Sequence, residues 1–204
     1  MHKIVTISRE FGSGGRELGK RLAEELGIPC YDHQIIEMIA KENGFDERYV
    51  ANVGEKSIEA AYPMTIGHSF AMPPIQLMDQ PIRVAAAQRQ IIENFAKQGD
   101  CVIVGRCADY ILREKKNLLT VFLHAPMEYR VKRVMTDQSI TNPTLAEKTI
   151  KKQDKARADY YNFFTHKKWG DAGSAMLSVD TSMLDTDGIA ALIADAVTMV
   201  ERNK

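Results

Sequence analysis

The chain has 204 residues, 45% of them hydrophobic, which is enough for one α/β domain with a sizeable core. Its 27 basic and 27 acidic residues cancel to a formal net charge of zero, which argues against a general binder of nucleic acid polymers or membrane surfaces. No apolar run reaches the length of a signal peptide or a bilayer span, so we expect a cytoplasmic protein.

The opening segment predicts a strand, a glycine-rich turn and a helix in succession. Residues 4–7 form a short buried run, and residues 18–26 carry leucines at helical spacing. Between them lie four small residues, Gly12, Ser13, Gly14 and Gly15. Glycine lets the backbone approach a ligand closely, and amide groups at a helix N-terminus attract anions. The segment therefore predicts a phosphate-binding loop.

This loop departs from the usual phosphate-binding motif, which ends in Gly-Lys-Ser/Thr. Here Gly14 is followed by Gly15, Arg16 and Glu17, so the lysine and the hydroxyl are both missing. We expect Arg16 to supply the positive charge, because a guanidinium binds phosphate oxygens in pairs. Ser8 and Ser13 are the nearest hydroxyls for a metal ion. A tight turn that only packs the helix against the strand is the alternative.

A second strand is short and is followed by a less regular region. Residues 30–32 end in Asp32, which either caps the next helix or has a functional role at the phosphate-binding loop. That helix ends at Gly44. Residues 45–79 contain several glycines and prolines, and we interpret them as an irregular insert that covers a substrate.

The third predicted strand ends at a basic residue. A helix over 81–98 leads to the apolar run 101–104, which is typical of a parallel strand buried on both faces. Gly105 and Arg106 follow it. Ligands of parallel sheets bind at the carboxyl ends of strands, so Arg106 is a candidate for gripping an anion. A surface ion pair is the alternative.

The second half of the chain predicts two basic helices. After a strand over 118–123, a helix that begins at Pro126 carries Arg130 and Arg133 on one face, toward either solvent or a triphosphate. A longer helix runs from Pro143 to about Tyr160. Its lysines, spaced three and four apart, form either a solvated face or a lid that closes over phosphates; they are Lys148, Lys151, Lys152 and Lys155.

Aromatic residues follow this helix and we expect them to anchor the lid to the core; they are Tyr160, Tyr161, Phe163, Phe164 and Trp169. A last strand over 175–179 and a strongly periodic last helix complete the chain. Five strands that alternate with helices predict an α/β fold in which a parallel sheet lies between two helical layers.

Four motifs together resemble the cytidylate kinase-like branch of the P-loop nucleoside monophosphate kinases. They read VTISREFGSGGRELGKRLAEELG over 5–27, CYD over 30–32, VIVGR over 102–106 and QDKARADYY over 153–161. The resemblance spans nearly the whole chain. It implies one P-loop kinase domain over 1–204, with a substrate-binding insert at about 45–98 and a lid at about 136–172.

The resemblance also implies a role for each matched residue. Residues 12–16 would hold the phosphates of ATP, with Arg130 and Arg133 on the same nucleotide side, and Mg²⁺ would accompany the nucleotide. The acceptor's phosphate would meet Arg106, with Asp154 near the acceptor base. Arg157 and Lys155 would close from the lid as catalytic residues together with Arg16, and Asp32 would position the metal or polarise the acceptor.

Several positions differ from those of typical cytidylate kinases. Besides the missing lysine and hydroxyl, His33, Met38 and Cys107 stand where that family carries a serine, an arginine and an aspartate. We therefore expect phosphoryl transfer from ATP to a small-molecule acceptor, with CMP or dCMP as the first choice. A kinase of the same fold for another acceptor, or a nucleotide sensor without turnover, stays open. The sequence leaves the metal ligands and the oligomeric state unknown.

Overall fold

The computed structural model describes residues 3–55 and 75–202. Five strands form one sheet in the order β2-β3-β1-β4-β5, and all four pairings are parallel. The strands are β1 (Ile4–Arg9), β2 (Cys30–Tyr31), β3 (Cys101–Val104), β4 (Leu118–His124) and β5 (Leu177–Asp180). The predicted five-stranded parallel sheet is confirmed.

Helices connect and flank the strands. They are α1 (Gly15–Leu26), α2 (His33–Asn43), α3 (Glu47–Glu55), α4 (Ile75–Gln98), α5 (Ala108–Ile111), α6 (Met127–Asp137), α7 (Pro143–Thr165) and α8 (Thr186–Arg202), and a 3₁₀ turn covers Ala172–Ser174. No helix within the described ranges is long and apolar enough to cross a membrane.

The sheet separates two apolar cores, because successive side chains of a strand point to opposite faces. In β1, Val5 and Ile7 pack into the core formed with α1 and α8. Ile4 packs on the other face, in the core that α2, α3 and α4 complete. Residues 4–7 of β1 are thus buried on both faces, in agreement with the short buried run predicted there.

The helix ends follow the local sequence. Gly27 and Gly44 end α1 and α2 in the left-handed conformation, with φ of 64° and 67°. The side chain of Asn142 accepts hydrogen bonds from the amides of Thr144 and Leu145, which fixes the start of α7 at Pro143.

Several predicted boundaries need correction. Part of the stretch predicted to be irregular is helical, as α3 and the start of α4, and residues 56–74 of the predicted insert lie outside the described residues. Pro81 lies inside α4 rather than in its first turn, because a helix of 24 residues can lose one amide hydrogen bond and keep its other turns. Helix α7 extends to Thr165, and β5 begins at Leu177.

Candidate functional site

The glycine loop between β1 and α1 lies at the carboxyl edge of the sheet. Gly12 and Gly14 have φ of 81° and 82°, a conformation that favours glycine. A Cβ at Gly12 would lie 2.9 Å from Val134 Cγ2 and 3.1 Å from the Arg130 carbonyl oxygen. The loop therefore fits tightly against α6, and only glycine fits at this point.

Three charged side chains support the glycine loop through contacts with its residues or with one another. They are Glu10, Arg130 and Asp154, and we call them the loop floor. Asp154 Oδ1 accepts a hydrogen bond from the Phe11 amide at 2.7 Å, and Arg130 Nη1 donates to Asp154 Oδ2 at 2.5 Å. Arg130 Nε also lies 3.4 Å from Glu10 Oε2. The Arg130 side chain is 7% exposed, so these contacts are largely shielded from water.

Sequence reasoning expected Arg130 on the nucleotide and Asp154 near the acceptor base, whereas both support the loop in this structure. Ser13 differs in a similar way from the metal-facing hydroxyl that we expected. Its Oγ donates to the Glu10 carbonyl oxygen at 2.9 Å, and the residue is 1% exposed. The hydroxyl of Ser13 thus stabilises the turn from inside.

Above the loop opens a cleft of about 530 Å³, which we call the arginine cleft. The basic residues that line it are Arg9, Arg16, Lys20, Arg133 and Arg157, and the acidic ones are Glu10, Glu17 and Asp137. The first amides of α1 have no acceptor within the helix and point toward the loop. Backbone amides and guanidinium groups together suit a polyphosphate.

Arg133 lies against the loop beside Gly14. A Cβ at Gly14 would lie 3.1 Å from Arg133 Cζ, so the absence of a side chain there makes room for the guanidinium. Arg133 also forms ion pairs with Glu17 and Asp137. These two carboxylates hold the guanidinium beside Gly14.

Arg16 and Asp32 form an ion pair, with Arg16 Nε donating to Asp32 Oδ2 at 2.6 Å. Asp32 precedes α2, but its side chain makes no capping hydrogen bond, so the capping interpretation is wrong. The carboxylate instead faces arginines, since Arg9 Nη2 also lies 3.9 Å away. Arg16 is 65% exposed, on the outer side of the pair.

The turn after β3 forms the second part of the site. Gly105, Arg106 and Cys107 have φ of 77°, 58° and 54°, three consecutive residues in the left-handed region. Such strain in non-glycine residues persists only where surrounding contacts fix it. The buried side chain of Gln88 provides one such contact, because its Nε2 donates to the Arg106 carbonyl oxygen at 2.8 Å.

A cavity of about 30 Å³ adjoins this turn, and we call it the acceptor cavity because of the predicted role of Arg106. Its lining includes Ser8, Arg9, Gly105, Arg106, Cys107, Arg157, Tyr160, Tyr161 and Trp169. Arg106 Nη1 is buried and finds no hydrogen-bond partner among residues 3–55 and 75–202. A buried donor in this state suits an anionic ligand.

Arg157 of helix α7 lines both cavities, whereas Lys155 of the same helix lines neither. Arg157 Nη1 donates to the Arg9 carbonyl oxygen at 3.0 Å, and its guanidinium lies 5.3 Å from the centre of the Phe11 ring. Lys155 lines neither cavity and pairs with Asp159 Oδ2 at 2.8 Å on an exposed surface. The structure thus brings Arg157 to the loop and leaves Lys155 outside.

Four of the five aromatic residues that we expected to anchor the lid pack together, whereas Phe163 is 50% exposed. Tyr160, Tyr161, Phe164 and Trp169 form one cluster with Cys107. The Tyr161 hydroxyl donates to Asp109 Oδ2 at 2.8 Å. Burial raises the pKa of Tyr161 and also that of Asp109. The base of α7 is therefore fixed beside the acceptor cavity.

Sequence reasoning missed Arg9, Gln88 and Lys20. Arg9 lines both cavities and ends β1, so its place at the carboxyl end of a central strand was an available signal. Gln88 lies in a helix remote in sequence from Arg106, and no local pattern joins them. Within the described ranges, no three His, Cys, Asp or Glu side chains group as metal ligands.

Comparison with known proteins identifies relatives over most of the chain. The model of the Cytidylate kinase-like family matches residues 4–183. The cytidylate kinase of Methanocaldococcus jannaschii is 25% identical over 203 residues, covering 98% of this chain and 99% of that protein. The cytidylate kinase of Pyrococcus horikoshii is 25% identical over 195 residues, covering 95% and 88%.

Solved structures share the fold. A crystal structure of an uncharacterized protein from Eubacterium ventriosum has a TM-score of 0.73 and 31% identity, covering 98% of this chain and 99% of that one. A gluconokinase from Sinorhizobium meliloti has a TM-score of 0.54 and 15% identity, covering 98% and 94%. At that identity the gluconokinase shows the fold alone.

Proposed function

Because the chain belongs to the cytidylate kinase-like family, we propose that it transfers the terminal phosphoryl group of ATP to a nucleoside monophosphate, with CMP or dCMP as the preferred acceptor. The observation that carries this proposal is the position of two arginine-lined cavities side by side. The arginine cleft and the acceptor cavity share Arg9 and Arg157 in their linings. A phosphoryl group moving between two bound phosphates needs this arrangement.

On the nucleotide side, the amides of residues 12–16 and the guanidinium of Arg133 hold the phosphates of ATP. The pairing of Arg133 with Glu17 places its charge next to Gly14 before the nucleotide arrives. Arg16 adds charge at the mouth of the arginine cleft. Preorganised donors of this kind stabilise charge without reorganising during the reaction.

On the acceptor side, Arg106 binds the phosphate of the monophosphate. The turn from Gly105 to Cys107 constrains the backbone of Arg106, and its buried Nη1 leaves a donor for the phosphate. Arg157 neutralises charge on the transferring group from α7. Helix α7 acts as a lid within about 136–172, and the segment at about 45–98 covers the acceptor. These roles need no covalent help from the protein.

ATP-dependent kinases use Mg²⁺, and the donors present fit it, because this ion needs only one or two carboxylates besides the phosphates of the substrate. Asp32 is the carboxylate that would position it through water, because its two oxygens already face Arg9 and Arg16. The bound ion would offset negative charge on the nucleotide phosphates. No hydroxyl ligand is assigned, because Ser13 is committed to the loop.

A second candidate is a kinase of the same fold that acts on another small-molecule acceptor. Cys107 favours it, because this residue follows Arg106 directly and gives the acceptor cavity a buried, uncharged thiol. A thiol at this position forms weaker hydrogen bonds with a nucleotide base than a carboxylate would form.

The test is a substrate panel. The purified protein is incubated with ATP and Mg²⁺ together with each nucleoside monophosphate and a set of small hydroxyl acceptors, while ADP release and new phosphorylated product are followed. We expect the highest kcat/KM with CMP or dCMP. Turnover restricted to a non-nucleotide acceptor would select the second candidate. Tight ATP binding with no transfer to any acceptor would overturn both and leave a nucleotide sensor.

A further inference from the structure

At Arg9 and Gly15, the glycine and the lysine of the usual phosphate-binding motif have changed places in kind: an arginine replaces the glycine, and a glycine replaces the lysine. That motif reads Gly-x-x-x-x-Gly-Lys-Ser/Thr. With its second glycine placed on Gly14, its first glycine falls on Arg9 and its lysine falls on Gly15. A cation therefore stands where the motif has a glycine, and a glycine stands where it has the cation.

In the structure, the Arg9 side chain also lies over Gly15, in the space that a side chain at position 15 would need. A Cβ at Gly15 would lie 2.7 Å from Arg9 Cγ and 2.9 Å from Arg9 Cβ, so the stem of Arg9 lies over Gly15. The same arginine then extends to the turn after β3, where a Cβ at Gly105 would lie 2.8 Å from Arg9 Cζ. Two glycines accommodate one arginine.

The guanidinium of Arg9 is thereby held between the nucleotide side and the acceptor side. The side chain is 14% exposed, and it lines both the arginine cleft and the acceptor cavity. Asp32 lies 3.9 Å from its Nη2, and Arg157 fixes its backbone through the hydrogen bond to its carbonyl oxygen. Asp32 thus restrains the guanidinium of Arg9, and Arg157 restrains its backbone.

Arg16 and Arg133, two other cations of the arginine cleft, are less well placed than Arg9 to replace the missing lysine. Arg16, which the sequence favoured, is largely exposed and directs its Nε to Asp32. Arg133 lies beside Gly14 and pairs with Glu17 and Asp137. Neither of them lines the acceptor cavity.

We propose that Arg9 replaces the missing lysine as the catalytic cation that contacts the transferring phosphoryl group. This inference rests on the proposed function and names the residue that supplies the cation for it. In the transfer, the bond from the γ-phosphorus to the bridging oxygen breaks and its electron pair stays on ADP. A phosphate oxygen of the acceptor forms the new bond to phosphorus. Arg9 exchanges no proton and neutralises charge on the non-bridging oxygens.

The first test removes the charge and keeps most of the stem, in Arg9→Met, with Arg9→Lys as the conservative variant. We expect Arg9→Met to lower kcat by about 10²- to 10³-fold, the usual effect of losing one preorganised charge in a transition state. We expect ATP affinity without acceptor to fall by about tenfold, because a phosphate contact is lost. Arg9→Lys should recover part of kcat.

Arg113→Met is the matched control, because Arg113 is an exposed arginine that pairs with Glu114 outside both cavities. It should leave kcat and ATP affinity unchanged. Thermal unfolding of every variant separates loss of function from loss of folded protein, and recovery in Arg9→Lys has the same purpose.

The second test restores the order of the motif. Gly15→Lys alone should lower kcat, because its Cβ would collide with the stem of Arg9. Arg9→Gly alone should also lower kcat, through the missing charge. The double variant Arg9→Gly/Gly15→Lys removes the collision and returns a cation to the loop. We expect it to exceed Arg9→Gly in kcat by about tenfold or more, a strong departure from additivity.

The outcomes separate this inference from the proposed function. A wild-type protein that phosphorylates CMP while Arg9→Met keeps kcat within about threefold would overturn the role of Arg9 and leave the function standing. A wild-type protein without transfer to any acceptor would overturn the function. In that case the ATP titration decides the role of Arg9, and equal affinities of wild type and Arg9→Met would overturn it.

Discussion

The two sides of the glycine loop use arginine for different purposes. On the loop floor, Arg130 is almost fully buried and is compensated by the carboxylates of Glu10 and Asp154. On the cleft side, Arg16 is 65% exposed in its pair with Asp32 and lines the arginine cleft. The charges of the floor are paired and largely shielded from water, whereas those of the cleft side line an open cavity.

This difference indicates how stability and function are divided. A buried charge that loses its partner destabilises the fold by several kcal/mol, whereas an exposed pair contributes little. Substitutions on the loop floor should therefore reduce stability first. Substitutions on the cleft side should reduce ligand binding and turnover while the protein stays folded.

The largest expected effect is on the cleft side, with Arg106→Ala. We expect kcat/KM for the acceptor to fall by about 10²- to 10³-fold, because the only proposed contact of the acceptor phosphate in the constrained turn is removed. The affinity for ATP alone should stay the same. Steady-state kinetics and an ATP titration measure the two quantities.

Arg113→Ala is the control for this prediction, since Arg113 is an exposed arginine whose Nη1 donates to the Tyr110 carbonyl oxygen outside both cavities. It should leave the kinetics unchanged. An Arg106→Ala protein that loses ATP affinity as strongly as acceptor turnover would break the division between the two cavities.

The next effect concerns the loop floor. Asp154→Ala leaves Arg130 without one carboxylate and the Phe11 amide without its acceptor, so we expect a loss of about 3 kcal/mol in the free energy of unfolding. Asp154→Asn should cost less, because its carbonyl oxygen still accepts from Phe11. Urea denaturation measures both.

On the cleft side, Arg16→Ala should change the free energy of unfolding by no more than about 0.5 kcal/mol, because its pair with Asp32 is exposed on the arginine side. Equal losses in Asp154→Ala and Arg16→Ala would contradict the distinction between floor and cleft.

The sequence predicted the sheet well because its signals are local. The run from Cys101 to Val104 and the glycines that end α1 and α2 each specify one element through neighbouring residues. The boundaries of α4 and α7 were less accurate, because packing against other elements extends a helix beyond its local signals. Five alternating strands then left few possible topologies.

The site was only partly predictable, because its contacts join residues far apart in the chain. Arg130 and Arg133 look equivalent at a spacing of three, yet one lies beneath the loop and the other beside Gly14. The distinction comes from Asp154 and Glu17, which belong to other helices. Periodicity cannot show which carboxylate a given arginine meets.

A smaller effect should come from Asp109, behind the acceptor cavity. Burial raises its pKa, against the opposing effect of the Tyr161 hydrogen bond. Its contribution to stability is therefore fully present below the ordinary aspartate pKa of 3.8 and is lost as pH rises through the raised value. Asp109→Asn avoids this loss.

We expect Asp109→Asn to raise the free energy of unfolding at neutral pH by an amount on the order of 1 kcal/mol, the usual size of a single substitution. The advantage should shrink as pH falls and disappear below the ordinary pKa. Urea denaturation across this range measures it. A variant that is less stable than wild type at neutral pH would mean that the Asp109 carboxylate is stabilised in its charged form.

The smallest expected effect concerns the three cysteine thiols, which should react only slowly with a disulfide reagent in the native protein. Burial raises the pKa of Cys30 to about 11 and that of Cys101 to about 12, and it also raises that of Cys107. Little thiolate then exists at pH 8, and thiolate is the reactive form.

We expect a disulfide reagent at pH 8 to modify the native protein slowly, beginning with Cys30, which is partly exposed. The urea-denatured protein should consume three equivalents at once, which serves as the control. Cys107 is the sensitive reporter, because it lies in the left-handed turn and lines the acceptor cavity. If Cys107 reacted first, the turn that holds Arg106 would be open in solution, and the constrained orientation on which phosphate binding depends would have to form with the ligand.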